Sequence, residues 1–244
     1  MIDATFAIEF NNLGVVLLNE GNRRAAVDLF KGASQLMIHV ISQLHETDNE
    51  SHPLVRRAHM IYKKRTGGVE LVDAMSDHSS MKNLSENLDD SPAGSSKLFI
   101  CERAILLTKE HLPSTSTQLG TTCCSVLLYN LSLVYHLAAV DSVLESSGQK
   151  ALNLYTMAFS LLLEENFKAD STLILRVMMY CLNNMAALSY ELTQWELSAE
   201  YMKRLTIVVA LVKARDVDSS LHEECQSFLL NAMVLKTPTR APTA

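Results

Sequence analysis

The chain repeats one short pattern three times, and this repetition constrains its fold more than any other feature of the sequence. In each copy an asparagine is followed by Leu or Met and then by a small residue. The copies are Asn12-Leu13-Gly14, Asn130-Leu131-Ser132 and Asn184-Met185-Ala186. Apolar and small residues follow each copy at helical intervals, so each copy predicts a pair of helices. A single pair cannot bury its apolar face alone, which predicts that the pairs stack on one another.

Composition agrees with an all-α fold. Only 8 Gly and 5 Pro occur in 244 residues, too few for the many turns of a β-sandwich or barrel, while 48% hydrophobic residues suffice for a core. Apolar periodicity predicts helices over 5–19, from about 22 to 45, and over 119–145, 149–164, 171–192, 195–214 and 219–236. In the first helix the predicted apolar face consists of Phe6, Phe10, Leu13 and Leu17.

An insertion, residues 46–118, separates the first predicted pair (1–45) from two further pairs and a capping helix (119–236). Within the insertion we predict a basic amphipathic helix over 53–65 and a disordered, acidic and serine-rich stretch over 66–97. Residues 98–107 are apolar and predict an extended or short helical piece packed on the core, followed by a loop. Residues 237–244 are predicted to be a disordered tail.

The first copy resembles the tetratricopeptide (TPR) repeat. The residues that match its pattern, at the family's intervals, are Phe10, Leu13, Gly14, Leu17, Gly21, Ala26, Phe30 and Ala33. The other copies match by their spacing to the first, and seven extra residues of the second copy are expected in its turn near 145–148. The resemblance implies an all-α, TPR-like solenoid of antiparallel helix pairs with a flexible insertion and a C-terminal capping helix.

The resemblance also implies where a partner would bind. In TPR proteins the first helices line a concave groove, and a side-chain amide there can both donate to and accept from a peptide backbone. The alternative is that the asparagines bridge neighbouring helices. The predicted partner-binding residues are Asn11, Asn12, Val15, Tyr129, Asn130, Leu133, His136, Asn183, Asn184 and Tyr190. This lining is neutral and partly apolar, which predicts a protein or peptide partner with few charges.

Other functional classes lack a positive signal in the sequence. Motifs of metalloproteases, serine hydrolases and nucleotide-binding loops do not occur, and the histidines lack metal-site spacing, so we expect no enzyme activity, cofactor or metal. The net charge of −6 argues against nucleic-acid binding. The apolar run 205–212 is too short to cross a bilayer, which predicts no membrane partner.

Five cysteines without paired spacing and no visible signal peptide predict a cytoplasmic protein. The basic stretch 56–65 could be a nuclear import signal, so a nuclear location is the alternative. The functional hypothesis is a non-catalytic adaptor or scaffold that holds a partner segment in its groove. The alternative is a structural subunit of a larger complex or homo-oligomer that uses its outer face or terminal helix. Sequence leaves the oligomeric state open.

Overall fold

The computed structural model describes residues 4–46, 100–108, 116–142, 145–164, 172–215 and 219–235. Over these ranges the regular structure consists of seven α-helices without a strand, which confirms the all-α prediction. The helices are α1 (Ala4–Asn19), α2 (Arg23–Glu46), α3 (Ser116–Ser142), α4 (Glu145–Glu164), α5 (Thr172–Glu191), α6 (Trp195–Lys213) and α7 (Ser219–Leu235).

Each helix predicted outside the insertion corresponds to one of these seven. One local expectation is wrong: residues 145–148 form the first turn of α4 and not a widened turn before it. The extra residues of the second copy therefore lengthen its helices. The predicted helix 53–65, the stretch 66–97 and the tail 237–244 lie outside the described residues.

Helices that follow one another in the chain pack together. α1 contacts α2, α3 packs on α2 and α4, α5 on α4 and α6, and α7 covers both α6 and α5. α5 lies at the centre of this arrangement, because all but one of its residues from Leu175 to Ser189 are buried. Large side chains such as Phe30, Tyr155 and Met179 fill one continuous core.

The buried face of α1 differs from the predicted one. Its buried residues are Ala7, Asn11, Gly14, Val15 and Leu18. Phe6 and Leu13 are 55% and 50% exposed. The backbone of α2 approaches α1 closely, and small residues permit this approach better than the large apolar residues of the predicted face.

Two turns within the fold share one geometry. After α1, Gly21 has a φ of 82° and the next amide, that of Asn22, donates to the carbonyl of Leu17 at 2.8 Å. After α5, Thr193 has a φ of 59° and the amide of Gln194 donates to the carbonyl of Ser189 at 2.8 Å. These bonds satisfy carbonyls at the ends of both helices. Gly21 therefore terminates α1.

Residues 100–108, here called the ladder segment, form no helix. Ile105 and Leu107 are buried, whereas Leu106 between them is 48% exposed. This alternation has the period of an extended chain. The segment packs on the core, which is the placement predicted for residues 98–107.

One helix among the described residues is long and apolar enough to cross a membrane by length and composition. It covers Gly120–Asp141 of α3, with a mean hydropathy of 1.6, and 72% of this apolar stretch is buried by the rest of the protein. Core helices of soluble proteins pass the same test. The apolar run 205–212 lies in α6, and the longer apolar stretch of α3 was not predicted from the sequence.

Candidate functional site

Three asparagines on three helices hold the backbone of the ladder segment. Asn12 of α1, Asn130 of α3 and Asn184 of α5 are here called the asparagine ladder. Each uses Oδ1 to accept from one backbone N–H and Nδ2 to donate to the carbonyl of the same residue. Asn12 accepts from the Leu107 N–H at 2.9 Å and donates to the Leu107 carbonyl at 2.8 Å. Asn130 makes the same two bonds to Ile105, at 2.8 and 2.9 Å. Asn184 makes them to Cys101, at 2.8 and 3.1 Å.

This geometry suits the chemistry of a primary amide. A side-chain amide carries one acceptor oxygen and two donor hydrogens, so it can pair with both polar groups of a peptide unit, as a neighbouring β-strand does. The bonds reach only backbone atoms that every residue other than proline possesses. The grip is therefore independent of the side chains that the bound segment carries.

Asn11 and Tyr129 also donate hydrogen bonds to the backbone of the segment. Asn11 Nδ2 donates to the carbonyl of Ile105 at 3.0 Å, and Tyr129 Oη donates to the carbonyl of Arg103 at 2.9 Å. Asn130 Nδ2 also donates to Asn11 Oδ1 at 2.8 Å. Because this last bond joins α3 to α1, the asparagines both hold the segment and bridge neighbouring helices.

Asn183 supports the ladder through a hydrogen bond to Asn184. Its Nδ2 donates to Asn184 Oδ1 at 3.1 Å, and its own Oδ1 accepts from Asn231 Nδ2 of α7 at 2.9 Å. Asn184 Nδ2 further donates to Tyr155 Oη at 3.0 Å. These contacts fix the orientation of the Asn184 amide, so α7 and α4 both support the ladder. Sequence reasoning did not assign Asn231 or Tyr155 to the site, because neither belongs to the repeated pattern.

The remaining predicted residues do not hydrogen-bond to the ladder segment in the described part of the chain. Val15 and Leu133 are buried in the core, and the ring of Tyr190 packs edge-on against Trp195 with the centroids 4.6 Å apart. His136 is fully buried beside Tyr155. The structure thus brings Asn11, Asn12, Tyr129, Asn130, Asn183 and Asn184 together in one hydrogen-bonded site. His136 is linked to this site through Tyr155.

The buried His136 of α3 lies beside the partly exposed Glu191 at the end of α5. His136 Nε2 makes no hydrogen bond to the described residues, and it lies 3.9 Å from Glu191 Oε2. Burial lowers the pKa of His136 to about 3 and raises the pKa of Glu191 to about 7. Both shifts favour the neutral forms, as desolvation requires.

Glu224 of α7 contacts the segment through an ion pair with Arg103. Its carboxylate accepts from Tyr180 Oη at 2.9 Å and from Arg176 Nε at 3.4 Å, and it pairs with Arg103 of the segment at 3.3 Å. The Arg103 side chain is largely exposed, so this ion pair is worth little. No repeated pattern marks Glu224, and the sequence reading missed it.

Burial affects the protonation of two tyrosine hydroxyls and one thiol in the site. Burial raises the pKa of Tyr129 and of Tyr155 well above the usual range, and it raises the pKa of the Cys101 thiol to about 11. These groups therefore stay protonated at neutral pH. Among the described residues no group of three or more His, Cys, Asp or Glu side chains could hold a metal ion.

Comparisons of the chain with protein-family models, with curated proteins and with solved structures found no match. The site must therefore be interpreted from its own geometry.

Proposed function

We propose that this protein is a non-catalytic interaction module, an adaptor or scaffold that holds an extended protein segment in a groove lined by the asparagine ladder. The single observation that carries the proposal is the paired hydrogen bonding of Asn12, Asn130 and Asn184 to backbone N–H and C=O groups. Adding a strand to a receptor through its backbone is a common mode of peptide recognition.

We further propose that the fold is a TPR-like solenoid of antiparallel helix pairs. The sequential packing of α1 to α7 supports this arrangement. The two similar turns support it as well, because each left-handed residue follows its ladder asparagine by the same interval: Gly21 follows Asn12, and Thr193 follows Asn184.

Serine hydroxyls at the aligned small positions give independent support. Ser132 Oγ of α3 donates to the carbonyl of Ala151 in α4 at 2.7 Å. Ser198 Oγ of α6 donates to the carbonyl of Ala186 in α5 at 2.8 Å. Ser132 and Ala186 occupy the place of Gly14 in the repeated pattern, and each bond joins the two helices of one predicted pair.

The partner class follows from the chemistry of the ladder. Neutral amides recognise a peptide backbone without a charge requirement, and the buried places of Ile105 and Leu107 favour a protein segment with few charges. A cytoplasmic location and the absence of nucleic-acid and membrane partners remain predictions from the sequence.

The alternative function is architectural, as a structural subunit of a complex or of a homo-oligomer. One observation favours it: Leu230 and Met233 of α7, the terminal helix, are 63% and 70% exposed. Large exposed apolar residues on a terminal helix suit an assembly contact. Light scattering separates the two, because a stable homo-oligomer supports the architectural role and a monomer supports the adaptor.

Selection of random ten-residue peptides on the intact chain tests the groove. The affinity of the selected peptides is then measured on an Asn130→Ala/Asn184→Ala variant whose helix content matches the wild type by circular dichroism. We expect at least a tenfold loss of affinity. Equal affinity for both chains would overturn the groove assignment. Asn153→Ala, on the exposed side of α4, is the matched control and should leave the affinity unchanged.

A further inference from the structure

The ladder of this chain is occupied by the chain itself. We propose that residues 100–108 are an exchangeable occupant of the ladder, and that the partner is an extended segment with aliphatic side chains two residues apart, as Ile105 and Leu107 are. This inference rests on the proposed function, because it names the kind of segment that the groove takes and how that segment enters.

The ladder contacts explain why another segment can replace residues 100–108. The bonds from the ladder to the segment all end on a backbone N–H or C=O of Cys101, Ile105 or Leu107. A foreign segment in the same conformation offers identical groups. The bonds lost by the chain's own segment are therefore regained by the competitor, and exchange leaves the asparagine amides satisfied.

Side-chain burial specifies which competitors fit. Ile105 is 6% exposed and Leu107 is 1% exposed, and both belong to the protein core. Leu106 and Thr108 face solvent, as do Glu102 and Arg103. The preferred segment therefore has two aliphatic residues separated by one residue of any type, whose side chain faces solvent. Ile100, which is also buried, adds a third apolar position at the other end.

The covalent attachment of residues 100–108 determines how tightly a free segment must bind in order to replace them. A tethered ligand acts at an effective concentration on the order of millimolar, so a free segment must compete against it. Removing the apolar anchors of the tethered segment lowers this competition without touching the ladder. The segment's solvent-facing positions supply the control, since Leu106→Asp places a negative charge on the same segment without removing a buried side chain.

The decisive experiment measures binding of a fluorescent peptide with the sequence of residues 98–108, in which Cys101 is replaced by Ser. Its affinity is determined by anisotropy for the wild-type chain, for Ile105→Asp/Leu107→Asp and for Leu106→Asp. We expect the double variant to bind at least tenfold more tightly than the wild type, and Leu106→Asp to behave as the wild type. A peptide carrying Asp at the positions of Ile105 and Leu107 should bind at least tenfold more weakly. Equal affinity of the first peptide for wild type and double variant would overturn exchange.

A second measurement uses the wild-type chain and does not depend on the folding of a variant. Cys101 lies in the segment, whereas Cys181 is buried in α5, so their alkylation rates separate local release from unfolding. Excess peptide should accelerate the alkylation of Cys101 at least fivefold and leave that of Cys181 unchanged. An unchanged rate at Cys101, or equal acceleration at both, would overturn the proposal.

The outcomes also separate this inference from the proposed function. If the peptide fails to bind while randomly selected peptides still require Asn130 and Asn184, the exchange and its aliphatic pattern are wrong and the groove stands. If the selected peptides ignore the asparagines, the proposed function itself fails.

Discussion

The ring of Phe30 in α2 lies directly over the backbone of Gly14 in α1. A Cβ atom built on Gly14 would be 2.7 Å from Cε1 of that ring, closer than any real contact of this kind, and Phe30 is fully buried. The ring therefore cannot move aside without disturbing the core. The first helix pair depends on the absence of a side chain at residue 14.

Gly14→Ala should lower the free energy of unfolding by about 1–2 kcal/mol. Overpacking a core costs about 1–3 kcal/mol, and the better helix propensity of Ala returns up to about 1 kcal/mol. Gly32→Ala is the control, since its Cβ would lie 3.3 Å from the half-exposed ring of Phe10, which has room to move. Urea denaturation of both variants checks this prediction. Equal stability of the two variants would contradict the close packing at Gly14.

Thr193→Gly should stabilise the protein by about 0.5–1 kcal/mol. Thr193 adopts a φ of 59°, and the left-handed conformation costs an L-residue about 1–2 kcal/mol, whereas glycine adopts it freely. The reciprocal substitution Gly21→Thr should destabilise by about 1 kcal/mol, since a Cβ there meets open space and only the conformation is penalised. Thermal melts of both variants test whether the two turns are equivalent. Shifts of the melting temperature in opposite directions would support this equivalence, and shifts in the same direction would refute it.

Asn130→Asp should lower the free energy of unfolding by about 2–4 kcal/mol. The carboxylate keeps the acceptor for the Ile105 N–H but loses both donated bonds, to the Ile105 carbonyl and to Asn11, and it buries a charge. Asn153→Asp is the matched control, because its exposed Oδ1 only accepts from Gln149 and a carboxylate preserves that bond. Denaturant titration should show a change within about 0.5 kcal/mol for the control.

Glu191→Gln should change how stability depends on pH. Burial raises the pKa of Glu191 to about 7 from about 4.5, so its contribution is complete below pH 4.5 and is lost as the pH rises to 7. His136, with a pKa lowered to about 3, acts oppositely: its contribution is present above pH 6.5 and is lost as the pH falls toward 3.

The variant removes only the first of these two effects. Its free energy of unfolding relative to wild type should therefore rise between pH 4.5 and 7, by about 1 kcal/mol or more. Denaturation at pH 4.5 and pH 7.5 measures the difference. Glu196→Gln, which removes an exposed carboxylate from α6, controls for the change in net charge. A pH-independent difference at Glu191 would show that this carboxyl is ionised normally in the folded state.

The sequence predicted the helices and the ladder asparagines because both follow local periodic patterns. Asn12, Asn130 and Asn184 stand at one position of the predicted repeat, and the resemblance to the TPR family implied that their amides bind a peptide backbone, with bridging of neighbouring helices as the alternative. These local patterns could not identify the segment that the asparagines bind. Asn12 and Leu107 are separated by most of the insertion, which has no repeat of its own. The supporting contacts of Glu224 and Asn231 come from α7, whose sequence shows only an apolar stripe.

The buried face of α1 shows another limit of periodicity. Phe6 and Leu13 follow a helical interval as regularly as Ala7 and Gly14 do, so spacing alone cannot choose between the two faces. The choice depends on how closely α2 approaches, which is a property of the packed pair.

Amide hydrogen exchange of the ladder segment in the intact chain tests the central claim most directly, that the asparagine ladder holds a backbone. The N–H groups of Cys101, Ile105 and Leu107 donate to the ladder oxygens, whereas those of Glu102 and Leu106 do not. We predict that the first three exchange at least tenfold more slowly than the other two, and that Asn130→Ala abolishes the protection at Ile105 while amides of α5 stay protected. Equal exchange rates at all five positions would contradict the account.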